Sequence, residues 1–257
     1  MAAIDPLPDH LTYDAFLGGK IRVLQPKAGF RSGVDAVLLA ASVPAKPDET
    51  ILELGCGVGV AGLCLHARVD RVTLTGVEIQ PDYAALAEKN AASLSARMTI
   101  VASDLRSLPH DLRQQQFTHV MMNPPYFDRS QGSAAPNVGR DLALAGDTPL
   151  TDWLEVGLKR LAPKGTLTII QHITRLPEVL GGLEGRLGSL ILQPIAGRPG
   201  MAPGLFLLQG RHSGRAPFQM NVPLVMHEGA KHTADAESYT TQIQGILRDG
   251  AALPLSD

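Results

Sequence analysis

Four consecutive residues, Asn123-Pro124-Pro125-Tyr126, have the composition of a site that handles a planar nitrogen. An exocyclic or amide nitrogen delocalises its lone pair and is a weak nucleophile. It needs acceptors that hold both of its N–H groups and favour a pyramidal transition state. The side-chain oxygen of Asn123 and the main-chain carbonyl of Pro124 supply two such acceptors. Each proline locks φ, which stiffens the backbone that carries that carbonyl. Tyr126 offers a ring on which a planar acceptor stacks. The bland alternative is a strand stopped by proline and followed by a structural tyrosine. The residues upstream decide between the two.

Gly55-Cys56-Gly57-Val58-Gly59 directly follows Ile51-Leu52-Glu53-Leu54. The apolar run reads as a buried strand and the glycines as a tight strand-to-helix turn. There glycine allows positive φ and close approach of the backbone to a ligand. The helix that follows points its first amides at whatever binds. Glu78 ends the next apolar run, where a carboxylate accepts from both hydroxyls of a ribose. Asp104, after the third run, accepts from an adenine amine or caps a helix, and the two roles are compatible. Two cofactor classes use this layout. Gly57, Gly59 and Gly62 satisfy the dinucleotide pattern Gly-x-Gly-x-x-Gly. The register favours the other class, because Glu53, Gly55, Gly57 and Gly59 match Glu-x-Gly-x-Gly-x-Gly starting at the strand end. A dehydrogenase has no use for Asn-Pro-Pro-Tyr at a strand end, which selects S-adenosylmethionine. The candidate cofactor residues here are Glu53, Gly55, Cys56, Gly57, Gly59, Glu78, Ile79, Asp104, Leu105 and Asn123; the candidate catalytic residues are Asn123, Pro124, Pro125 and Tyr126.

The elements that must position these residues alternate. Residues 51–54, 72–77, 98–102, 118–122 and 165–172 read as strands, with helices over 34–41, 60–67, 81–95 and 153–161. Residues 190–195 and 205–209 read as two further strands, close enough for an antiparallel pair. The expected fold is therefore α/β, a doubly wound Rossmann-like domain. Its sheet is mostly parallel and seven-stranded, with one antiparallel edge strand. Residues 1–48 read as a cap segment with one helix, 49–212 as the core, and 213–257 as a strand and helix extension packed on it. Residues 131–146 lack periodicity and read as a loop.

The 257 residues, 44% apolar and 19% charged, suit one large domain that buries its own core. Cys56 and Cys64 form no framework, and no metal-ligand spacing stands out, so no metal is expected. Asp5, Pro6, Pro8 and Asp9 stand where a signal peptide needs a basic start and an apolar run, and no membrane span is legible. These features point to the cytoplasm. A formal net charge of −2 is unlike a strongly basic nucleic-acid binder, although a local basic stripe is compatible with it.

Asn-Pro-Pro-Tyr resembles the motif of the amino-methyltransferases that act on adenine, guanine or glutamine nitrogens. The N-terminal segment narrows the resemblance. Phe16-Leu17-Gly18-Gly19, Gln25-Pro26 and the stretch from Gly29 to Leu39, with Phe127 and Tyr239-Thr240, are similar to the bacterial tRNA(Val) adenine-N6 methyltransferase family. The resemblance implies that a Gly-x-Asp-x-x-Leu-Leu segment, here with Gly33 and Asp35 and preceded by Arg31, folds over the methionine end of S-adenosylmethionine. It implies methyl transfer to the N6 amine of an adenine in RNA, with tRNA as partner, by a monomer or homodimer. The chain departs from the family at Met201-Ala202-Pro203-Gly204, where an arginine is common. Candidate RNA contacts are Arg186, Arg198, Arg211, His212 and Arg215, against the alternative of a solvated face. Two other functions compete: methylation of a protein glutamine or another nucleobase amine, and cofactor binding without catalysis.

Overall fold

The computed structural model describes residues 7–126, 148–229 and 238–256. Phe127 and the loop expected over residues 131–146 lie outside them. The chain opens with an antiparallel hairpin, β1 (Leu11–Phe16) with β2 (Ile21–Pro26), where the sequence suggested only a lead-in segment. Its strands are short, its connection lacks the two-residue Asn-Gly signal, and Pro26 argues against a strand. Pro26 pairs with Leu11 at the open end of the hairpin, where a proline is tolerated. α1 (Val34–Ser42) follows and is almost wholly buried.

β3 (Thr50–Leu54), α2 (Val60–Arg68), β4 (Thr73–Glu78), α3 (Pro81–Ser93), β5 (Met98–Ala102) and β6 (Phe117–Met122) then alternate as expected, with a short helix, α4 (His110–Gln114), that the sequence reading did not include between β5 and β6. After them come α5 (Leu150–Arg160), β7 (Leu161–His172), α6 (Leu176–Leu183), β8 (Leu187–Ala196) and β9 (Leu205–His212). The strand expected in the 213–257 extension is divided into two short ones, β10 (Gln219–Met220) and β11 (Leu224–Val225), both parallel to β8. Pro223 lies between them and lacks the N–H a continuous ladder needs. The terminal helix is α7 (Thr241–Gln244), continued by a π-helical turn at Gly245–Asp249.

Among the described residues the large sheet has the order β10-β8-β9-β7-β6-β3-β4-β5, with β11 also on β8. β9 runs antiparallel to both β7 and β8. It therefore lies inside the sheet rather than at the edge where the sequence reading put it. α6 carries the chain past an empty strand position to β8, and β9 returns into that gap. From β3 the chain runs outward through β4 to β5 and then returns to β6 on the other side of β3. The strand order thus reverses between β3 and β6, and ligands of open α/β sheets gather at such a switch point beyond the strand carboxyl ends.

Successive strand residues point to opposite layers. Ile51, Leu74, Met121, Ile170 and Leu207 pack with α1, α2 and α7. Leu52, Val77, Val120, Met122 and Leu208 pack with Trp153, Leu154, Val179 and Leu183 of α5 and α6. Asn90 of α3 joins the hairpin to the first layer. Its side chain accepts from Leu24 N–H at 2.8 Å and donates to the carbonyls of Leu24 at 3.1 Å and Val58 at 3.0 Å. Asn90 is 1% exposed, so its own amide cannot turn to water instead. Asn90→Ala should lower the stability by roughly 2–4 kcal/mol, because it strands buried main-chain groups; urea unfolding of both proteins measures the difference.

Candidate functional site

The turn after β3 is built from backbone that only glycine adopts cheaply. Gly55 has φ 66°, and a Cβ there would meet the Trp153 ring at 2.4 Å. Gly57 has φ 55°, and a Cβ there would touch only Phe30 and Ser32, at 3.8 and 4.0 Å. The turn is held to β4 by Cys56 N–H donating to Val77 O at 2.9 Å and by Gly57 N–H donating to Glu78 Oε2 at 2.8 Å. Gly59, with φ 90°, precedes α2 and is not on the cavity wall that the other candidates share.

Three carboxylates stand at this edge in different states. Glu78 is 6% exposed and its Oε1 accepts from Gln80 N–H at 2.9 Å; burial raises its pKa above the ordinary value against the pull of these amides. Glu53, inside β3, accepts from Gly62 N–H at 3.0 Å. Burial pushes Glu53 up to about 8, and the charge of Glu78 adds to the shift. Glu53 therefore carries its proton at neutral pH. Asp104 is held low by the Arg106 guanidinium, which it meets at 2.7 Å, and it also accepts from Arg106 N–H at 2.8 Å. It caps the short 3₁₀ turn Leu105–Ser107, as one of the two sequence readings has it, and it also lines the cavity.

Asn123-Pro124-Pro125-Tyr126 leaves β6 beside the glycine turn, since Met122 pairs with Leu54. Tyr126 Oη donates to Asp35 Oδ2 at 2.6 Å. Burial and the Asp35 carboxylate both raise the phenol pKa, so Tyr126 stays neutral. Its hydroxyl ties the motif to the start of α1, which the stacking argument from sequence did not foresee. Arg31 meets Asp14 of the hairpin at 2.5 Å. Gln25, fully buried on β2, accepts from Ser32 N–H at 2.9 Å and donates to Asp14 at 2.7 Å. Tyr83 Oη donates to Phe30 O at 3.0 Å, so the hairpin and α3 together position residues 30–35.

These groups enclose a cavity of about 310 Å³. Arg31, Gly33, Asp35, Glu53, Gly55, Cys56, Gly57, Glu78, Ile79, Asp104, Leu105, Asn123, Pro124, Pro125 and Tyr126 all line it. The structure adds Phe30, Gln80, Tyr83, Ser103, Thr148 and Trp153 to the wall. Trp153 read simply as the start of a helix, and nothing local to its sequence signals that it reaches Gly55. The site fits a nucleoside cofactor. Its volume lies at the lower end of small-molecule sites, roughly 300–1,000 Å³. The bare Gly57 faces it, Glu78 lies at the end of β4, and Trp153 Nε1 is buried without a partner among the described residues.

The candidate RNA contacts separate. Arg211 pairs with Thr166 and Gly188, and His212 with Leu187, at the amino-terminal ends of the parallel strands. Arg186 and Arg215 adjoin them. These four lie at the edge opposite Asn123, because β9 runs backwards through the sheet. Arg198 follows β8 and lies at the same edge as the cavity, donating to the carbonyls of Glu228 at 2.6 Å and Gly229 at 3.2 Å.

A reversal of strand order, a glycine turn with a neighbouring strand-end carboxylate, and Asn-Pro-Pro-Tyr at the same edge define an S-adenosylmethionine-dependent methyltransferase. Residues 31–180 match the family described as the methyltransferase small domain, and the chain belongs to that family. A curated tRNA1(Val) (adenine(37)-N6)-methyltransferase of Porphyromonas gingivalis is 31% identical over 219 residues, which cover 80% of this chain and 85% of the relative. A protein of the same name from Shewanella halifaxensis is 29% identical over 74% of this chain and 78% of its own. The crystal structure of a predicted O-methyltransferase from Agrobacterium tumefaciens is similar, with a TM-score of 0.69 at 26% identity. It covers 86% of this chain and 98% of that one.

The buried Glu53 makes stability depend on pH. The folded state keeps its proton to about pH 8, whereas the unfolded chain loses it near 4.5. Between these values the folded state binds more protons, so stability falls as pH rises. Glu53→Gln mimics the protonated form throughout. Melting curves without cofactor should show the variant gaining on the parent from pH 5 to 8, with the gap level above that; parallel curves would mean an ionised Glu53.

Proposed function

We propose that the protein methylates the exocyclic N6 amine of an adenine in a tRNA. The observation that carries this reading is the position of Asn123-Pro124-Pro125-Tyr126, which lines the same cavity as the glycine turn and Glu78. When bound, S-adenosylmethionine supplies an electrophilic methyl group. Glu78 would hold its ribose hydroxyls, and Asp104 would accept from its adenine amine. The 31–35 segment covers the opposite end, where Arg31, Gly33 and Asp35 line the wall.

The acceptor amine enters beside Asn123. Its two N–H groups meet the Asn123 side-chain oxygen and the Pro124 carbonyl, which keeps the lone pair free and aimed along the transfer line. The proton leaves nitrogen for water after transfer, so no strong base is required. Tyr126, neutral and anchored on Asp35, offers its ring edge and face to a planar base. An adenine must leave its stack to reach this point, which costs least in an unpaired loop. The names of the curated relatives support tRNA as the source of that adenine. Among the described residues no helix is long and apolar enough to cross a membrane.

The test is transfer of labelled methyl into unmodified tRNA, from a strain lacking the gene, followed by nucleoside analysis. Label in N6-methyladenosine is expected. Asn123→Ala should reduce kcat about 10²–10³-fold, the usual cost of one transition-state hydrogen bond, with cofactor affinity nearly unchanged. Label in protein glutamine instead would move the acceptor to the competing reading, and an active Asn123→Ala would remove the asparagine from the mechanism.

A further inference from the structure

The prolines of the motif do not complete the task of aiming the Pro124 carbonyl. Each ring locks φ, whereas the direction of a carbonyl follows ψ of its own residue. Pro125 narrows ψ at position 124 to the extended range and leaves a spread of some tens of degrees. A 40° range swings the carbonyl oxygen by roughly 0.7 Å. Displacements near 1 Å cost on the order of 10²-fold in rate. Something else must hold ψ.

We propose that Gln171 is a positioning residue that fixes the Pro124 carbonyl for the methyl acceptor; the inference rests on the reading of Asn123 and Pro124 as the amine-holding pair. Gln171 is the penultimate residue of β7, in the middle of the sheet, and is 0% exposed. Burying a primary amide there is costly unless its groups are paired. Its Oε1 accepts from His172 N–H at 2.7 Å and its Nε2 donates to Pro124 O at 3.1 Å. The partners dictate this orientation, because a main-chain N–H only donates and a carbonyl only accepts. The Pro124 oxygen has two lone pairs. Gln171 occupies one from the strand behind, and the other remains for the N–H of a base in the cavity that Pro124 lines. No sequence motif marks this glutamine, since β7 is separated from the Asn-Pro-Pro-Tyr strand by α5.

Two variants test it against a merely structural role. In Gln171→Glu one oxygen still accepts from His172 N–H, and the other faces the Pro124 carbonyl. That oxygen repels the carbonyl when ionised and donates to it when protonated. Gln171→Leu cannot donate at any pH. Methylation of unmodified tRNA and cofactor affinity are measured from pH 6 to 9, with melting temperatures read on the same samples. The expected result is a fall in kcat for Gln171→Leu of roughly 10–100-fold at every pH, with cofactor Kd within about twofold of the parent. Gln171→Glu should match or approach the parent at low pH, where its carboxyl is protonated. Parental kcat in Gln171→Leu overturns the inference. So does an equal loss in both variants at every pH, or a loss matched by weakened cofactor binding. Asn123→Ala runs alongside: if it is inactive while both Gln171 variants are fully active, only this inference falls; if it is active, the underlying reading falls too.

Discussion

β3 ends in a glycine turn and β4, its neighbour, ends in a carboxylate, and the whole cavity edge depends on the bond between them. Glu78 Oε2 takes the N–H of Gly57 at 2.8 Å across the gap between the strands. A buried carboxylate left without donors would be expensive, and a turn of left-handed residues has amides to offer. Each relieves the other. The turn is held open in a shape that leaves room for a ligand, and Glu78 keeps lone pairs for one. Phe30 and Ser32 cover the turn, and Trp153 closes in behind Gly55.

The remaining parts are tied to that edge by buried or half-buried polar groups. Asn90 links the hairpin to the residue after Gly57. Gln25 anchors residue 32, and Tyr126 reaches across to Asp35. The Asn90 and Tyr126 bonds span elements far apart in the chain, and the apolar layers on both faces of the sheet hold those elements close enough to meet. The hairpin therefore belongs to the site as much as to the fold. The carboxylates show the same economy: a low-lying Asp104 paired with Arg106 and a protonated Glu53 sit within one wall, and their surroundings set them apart.

Much of this was legible in the residues. Strand and helix periods between positions 50 and 172 gave the parallel order, and the glycine turn, Glu78 and Asn-Pro-Pro-Tyr marked one end of it. Those signals are local: a turn that needs positive φ must use glycine, and a strand buried on both faces must be apolar. The hairpin at residues 11–26 was not legible, because its strands are short and Pro26 disguises one of them. The position of β9 inside the sheet was not legible either. An antiparallel pair can be read from spacing, but which of its strands lies beside β7 cannot.

The sequence by itself determined the class of fold, the cofactor and the transfer of a methyl group, because each follows from residue types at short spacing. Only the tertiary structure decided which distant groups complete the site. Trp153 against Gly55, Gln171 behind Pro124, and Asp35 on Tyr126 are separated by 98, 47 and 91 positions. Their meeting is a property of sheet order and helix packing. Nothing in the local pattern of any one of them records it, since a buried polar group is shaped by the partner it finds across the core.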